Sequence, residues 1–153
     1  MPNLFNVDFL DFLEILNNNN VDYLLVGGYA VILHGYSRTT GDMDLWLDKT
    51  AINYFKLAKT YSDFGAPIFS EMDFLSNKFD VWSIGTEPRK IEILTNVDGL
   101  VFIESRERCK WFNFDKYKVP YLDFDDLIKN KLTSGRYKDL ADIEQLNISK
   151  NKK

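Results

Sequence analysis

Sulfur and imidazole are almost missing from this chain. A single cysteine, Cys109, excludes an internal disulfide, and with His34 as the sole histidine there is no ligand set for a conventional structural zinc site. No apolar run reaches bilayer length, and the first residues lack the charged-then-apolar pattern of an export signal, so a cytoplasmic protein is expected. Internal repeats and long linkers are absent too, which leaves the 153 residues as one domain with its own core. A net charge of −4 argues against broad, unspecific nucleic-acid affinity. What the chain does have is apolar side chains, 45% with 15% aromatic, a globular composition.

The charge is unevenly spread. Residues 1–48 hold seven acids against one base, Arg38, whereas residues 129–153 hold seven bases against three acids. If the two ends meet across a cleft, one wall can hold a metal ion and the other phosphate. The alternative is ordinary solvated surface with a basic tail at 149–153, "SKNKK".

Apolar periodicity predicts helices at Val7 to Leu16, through "YAVILHGY", through "AINYFKLAKTYSDF" up to Gly65, through "LVFIESRER", and in the pair "FDDLIKNKL" and "YKDLADIEQL". Strands are expected at "DYLLVG", "MDLWLD", "FDVWSIG", "KIEILTN", "WFNF" and "YKVPYLD". The third and fourth of these read as a hairpin across "TEP", and Pro120 assigns the last to a sheet edge. Helices around a modest mixed sheet make an α/β (α+β) domain.

The densest information lies in "VGGYAVILHGYSRTTGDMDLWLD", Val26 to Asp48. Side chains two apart on a strand share a face, so Asp42 and Asp44 point one way while Met43, Leu45 and Leu47 go to the core. Two carboxylates that close repel unless a cation joins them. Mg²⁺ (or Mn²⁺) suits such a pair, since it takes a few carboxylates and completes its shell with water and substrate phosphates. In "KIEIL", Glu92 stands between Ile91 and Ile93 and faces away from the core, so it supplies a third acid if that strand lies beside "DMDLWLD". Such a trio could polarise the α-phosphate of a nucleoside triphosphate, with Glu92 holding an ion or accepting the acceptor's proton. The competing reading has Asp42 ending a strand, Asp44 on the surface and Glu92 paired with a nearby lysine. It fits each acid singly better than it fits all three behind a Gly-Gly turn.

Gly27 and Gly28 follow a strand and open a helix, where bare backbone N–H groups can approach an anion. Arg38 is a candidate phosphate contact or a salt-bridge partner for the aspartates, and Thr40 a turn or phosphate group. Lys131 either reaches from the core edge towards a triphosphate or, with Asp142, ties the last two helices together. Arg136 lies between them. His34 reads as a packing residue. Tyr29, Tyr36, Trp46 and Trp82 are the aromatics available to line an acceptor pocket.

Together "GGYAVILHGYSRTTGDMDLWLD", "KIEIL" and "LIKNKLTSGRYKDLADIEQL" resemble the minimal nucleotidyltransferases of the DNA polymerase beta-like superfamily. The ending is similar to the branch holding the type IV abortive-infection toxins of bacterial toxin–antitoxin systems. This resemblance, over roughly residues 21 to 147, implies a nucleotidyltransferase domain at 1–148 that binds Mg²⁺ and a nucleoside triphosphate such as ATP. It implies Asp42, Asp44 and Glu92 as metal ligands and catalytic groups, with Lys131 catalytic. Gly27, Gly28, Arg38, Thr40, Arg136 and Asp142 would then contact the nucleotide. The implied acceptor is an RNA, a protein or a small molecule, and a cognate antitoxin is the implied partner. A module of this fold that binds a nucleotide or partner without catalysing, or a small antibiotic nucleotidyltransferase, remains the alternative.

Overall fold

The computed structural model describes residues 5–151. Asn6 accepts a hydrogen bond from the Phe9 N–H at 2.9 Å and so starts α1 (Val7–Asn18), which buries Phe9, Phe12, Leu13 and Leu16. β1 (Tyr23–Val26) runs directly into α2 (Gly27–Leu33), and β2 (Asp42–Leu47) into α3 (Ala51–Phe64). Thr50 caps the start of α3, and Gly65 ends it in the left-handed conformation at φ 94°. The chain continues as α4 (Glu71–Leu75), β3 (Val81–Ile84), β4 (Lys90–Leu94), α5 (Phe102–Glu107), β5 (Lys110–Phe114), β6 (Tyr117–Tyr121), α6 (Phe124–Ser134) and α7 (Tyr137–Asn151).

The strands form one mixed sheet in the order β3-β4-β2-β1-β6-β5. The pairs β1–β2, β3–β4 and β5–β6 are antiparallel, while β2 lies parallel to β4 and β1 parallel to β6. This is the α/β (α+β) single domain expected. Alternation along the strands divides the side chains between two covers. On one face Met43, Leu45, Leu47, Ile91 and Ile93 pack against α1, α3 and Phe74 of α4. On the other, Leu24, Val26 and Trp46 are sealed by Ala30 and Val31 of α2, Leu127 of α6 and Leu146 of α7. Asp42 and Asp44 share that second face with Trp46 but open into a cavity. Burying these two apolar sets is the main favourable term for the fold.

One expectation, the edge placement of Pro120, is corrected. Pro120 is not on an edge strand: β5 is the edge, and β6 sits between it and β1. The proline is tolerated because β6 meets β1 only at the Leu25–Tyr121 register pair, where the Leu122 N–H donates to the Leu25 carbonyl and no donor is needed from residue 120. Helix α4, capped by Ser70, has too few residues to display a period and was not foreseen. The supposed tail from residue 149 is helical as far as Asn151; the remainder of it lies outside the described residues. Among the described residues no helix is long and apolar enough to cross a membrane.

Candidate functional site

The parallel register of β2 on β4 sets Asp44 opposite Glu92 and Asp42 opposite Lys90. Ile91 and Ile93 anchor β4 in the core, which forces Glu92 to the other face beside the two aspartates. One oxygen from each of Asp42, Asp44 and Glu92 lies within 4.8 Å of the others. The sequence expectation of a converging trio holds in the geometry.

The Gly-Gly turn is needed for this arrangement in a way the sequence did not reveal. Gly27 adopts φ 66°, and a Cβ there would run into the carboxylate of Asp44. At Gly28 a Cβ would come within 2.6 Å of Thr40 Oγ1 and 3.4 Å of an Arg38 guanidinium nitrogen. The Thr40 hydroxyl donates to the Asp42 carbonyl at 3.1 Å, so Thr40 braces the loop entering β2. The bare turn thus lets both the acid strand and the arginine loop close on α2.

Burial pushes the Asp44 carboxyl up to about 7, with the charges of Asp42 and Glu92 adding to the effect. Asp42 is also raised, first by burial and then by Glu92. Oδ1 of Asp44 is buried with no hydrogen-bond donor. An orphaned carboxylate oxygen amid three converging acids, all oxygen donors, fits a hard divalent cation such as Mg²⁺ or Mn²⁺.

Arg38, Lys131, Arg136 and Lys138 line the same cavity, of about 750 Å³, as the trio. The acidic N-terminal part and the basic C-terminal part therefore do meet in one cleft. Behind the cations two buried carboxylates hold them. Asp139 accepts from Arg136 Nε at 2.8 Å and from Lys131 Nζ at 3.4 Å. Asp142 forms ion pairs with Lys131 at 3.0 Å and with Arg38 Nε at 3.3 Å. Burial alone would raise the Asp139 carboxyl, but Arg136 and Lys131 override it and hold it below the usual carboxylate range. Of the two readings of Asp142, a nucleotide contact or a tie with Lys131 between the last two helices, the ion pair with Lys131 matches the second. Both its oxygens face cations and it is 4% exposed, so it supports Arg38 and Lys131 from behind. Lys131, for which two readings stood open, lines the cavity and ties α6 to α7 at once.

Sequence reasoning missed Lys90 and Glu87. Lys90 Nζ lies 2.9 Å from Glu92 Oε1, so Glu92 does pair with a nearby lysine, as the competing reading held, while also joining the trio. Lys90 was findable: two residues before Glu92 on the same strand, it must share its face. Glu87 reaches the cavity from the β3–β4 turn and closes over Gly41, a placement no local pattern encodes. The four aromatics proposed for an acceptor pocket belong to the packing instead. Tyr29 and Trp46 are buried, Tyr36 packs on the second core, and Trp82 stacks on Phe69 at 4.1 Å. His34 donates from Nε2 to the Leu122 carbonyl at 2.7 Å, as a packing residue would.

The sequence matches the family described as "Nucleotidyltransferase of unknown function (DUF6036)" over residues 3–152, and the chain belongs to that family. No curated protein matches it. Among solved structures, the chain is similar to the lincosamide antibiotic adenylyltransferase LnuA in its lincomycin-bound form, with a TM-score of 0.62 and 19% identity over 95% of this chain and 98% of that one. It is also similar to a Thermotoga maritima protein described as a nucleotidyltransferase, with a TM-score of 0.57 and 15% identity over 95% and 91% of the two chains. At these identities the likeness establishes the nucleotidyltransferase fold.

Proposed function

We propose that the chain transfers a nucleoside monophosphate from a nucleoside triphosphate to a hydroxyl of a small acceptor and releases pyrophosphate. The observation that carries this reading is a cavity lined both by the converging carboxylates of Asp42, Asp44 and Glu92 and by Arg38, Lys131, Arg136 and Lys138. Asp42, Asp44 and Glu92 would hold Mg²⁺ or Mn²⁺, which when bound polarises the α-phosphate and offsets its charge. The cationic side chains receive the triphosphate, with Asp139 and Asp142 keeping them aimed. The acceptor oxygen attacks the α-phosphorus, the bond to the β-phosphate oxygen breaks, and the hydroxyl proton passes to Glu92. Gly27 and Gly28 keep the floor of the cavity free of side chains.

For the acceptor, the remaining cavity lining favours a small hydroxylated molecule, neutral or cationic. Asp80, Glu87 and Asp98 also line the cavity and would repel a phosphodiester backbone. The basic C-terminal segment, which might have served RNA, is partly consumed: Lys131 and Arg136 are ion-paired, and Lys150 lies over the Phe124 ring at 4.7 Å. An RNA or protein acceptor and a cognate antitoxin, as in the abortive-infection toxins, is the second reading. It rests on the sequence resemblance of the last two helices. Either reaction draws on the nucleotide pool of the cytoplasm.

Incubation with Mg²⁺, each labelled triphosphate and, separately, hydroxylated small molecules, total RNA and total protein tests this. Label should move to a small acceptor, and Asp44→Asn should abolish it. Transfer retained by that variant refutes the metal assignment, and label on RNA or protein selects the second reading.

A further inference from the structure

Among the described residues, Lys90 is the cation in ion-pair contact with the acid trio. Its register partner across the sheet is Asp42, its ammonium lies 2.9 Å from Glu92 Oε1, and Asp42, Glu87 and Glu92 all act on it. Among the described residues, none of the four cations that line the cavity lies within ion-pair distance of the trio's oxygens. An ammonium at that distance neutralises part of the trio's repulsion and occupies one of the oxygens a divalent ion would use. Monovalent and divalent cations in one carboxylate cluster exclude each other electrostatically.

Resting on the reading of the trio as a metal centre, we infer that Lys90 is its resident counter-ion and competes with the divalent cation for Glu92. The side chain is about one-third exposed, with room to swing outward when the ion arrives. Three consequences follow. The metal-free trio is stable enough to fold because Lys90 partly balances it. Free divalent ions bind the nucleotide-free protein weakly. The site fills best when the ion comes with a triphosphate, whose oxygens add ligands that Lys90 does not contest.

The test is Mn²⁺ titration of the nucleotide-free protein, followed by the loss of the free-ion EPR signal, for wild type, Lys90→Met, Lys90→Arg and Glu92→Gln, with thermal unfolding of each in chelator. Lys90→Met should tighten Mn²⁺ binding by roughly tenfold, as removal of a nearby positive charge implies. It should also unfold at a lower temperature without metal. Lys90→Arg should keep wild-type affinity within about a factor of two. Equal or weaker binding by Lys90→Met overturns the competition, as does tightening by Lys90→Arg to the same degree. If wild type binds Mn²⁺ and Glu92→Gln does not, the metal reading survives whatever Lys90 does. If neither wild type nor Lys90→Met binds Mn²⁺, that reading and this inference fall together.

Discussion

Replacing Asp44 by asparagine should destroy catalysis and stabilise the metal-free protein, and the pH dependence of that gain is calculable. The folded-state carboxyl sits near 7 against an ordinary 3.8, because burial and the neighbouring acids disfavour its charge. The native state therefore binds more protons than the unfolded chain across that interval, and stability falls as pH rises from about 4 to about 7. At about 1.4 kcal/mol per pH unit, the loss at pH 8 amounts to at most about 4 kcal/mol. Asparagine removes the charge at nearly constant shape but brings an amide that needs partners, so about half of this is the expected gain. For a chain of this size, about 2 kcal/mol corresponds to a rise in Tm of roughly 4–8 °C. Thermal unfolding in chelator at pH 8 and at pH 4 checks it: the variant should melt higher at pH 8, and the difference should vanish near pH 4. Added Mg²⁺ should raise the Tm of wild type at pH 8 and leave the variant unmoved. A variant that melts no higher than wild type at pH 8, or by the same margin at both pH values, refutes the electrostatic account of the trio.

Lys131→Met should cost about 3–5 kcal/mol in urea unfolding, because it leaves Asp139 and Asp142 short of a buried cation. An unchanged midpoint would mean that water replaces the ammonium. Gly27→Ala should lose the Mg²⁺-dependent rise in Tm as well as transfer, since the added methyl collides with the Asp44 carboxylate and φ 66° is unfavourable for alanine. Retention of the metal response would show that the turn yields. Asn53→Ala should cost about 2–3 kcal/mol by equilibrium denaturation, because the buried amide bonds the Asp22 N–H and the carbonyls of Asp22 and Asp48, tying α3 to both strands at one end of the antiparallel β1–β2 pair.

Much of this was legible before the structure, and the residues explain why. Asp42-Met43-Asp44-Leu45 and Ile91-Glu92-Ile93 alternate with period two, and that rule is local, so the facing of each acid could be read from the chain. That the two strands would lie side by side was a conditional, settled only by the β3-β4-β2-β1-β6-β5 order, which no local period encodes. The same limit accounts for Pro120. Its side chain argues for an edge, and only the single register pair joining β6 to β1 shows why it can sit inside. Gly27 and Gly28 were read as room for phosphate, whereas the nearest atoms they make room for belong to Asp44, Thr40 and Arg38. The family resemblance implies Asp142 as a nucleotide contact and its place beside Lys131 on paired helices allows a tie between them, and sequence cannot tell a supporting carboxylate from a contacting one. Lys90, by contrast, was available to the period-two rule and was overlooked.

The claim on which all of this depends is that Asp42, Asp44 and Glu92 bind a divalent cation facing a triphosphate. Crystals grown with Mn²⁺ and a non-hydrolysable ATP analogue, with anomalous data collected at the manganese edge, test it directly. The account predicts an anomalous peak within coordinating distance of all three carboxylates, with the phosphates extending towards Arg38 and Lys131. A nucleotide bound in the cavity with no peak at the trio, or manganese bound only elsewhere, contradicts it.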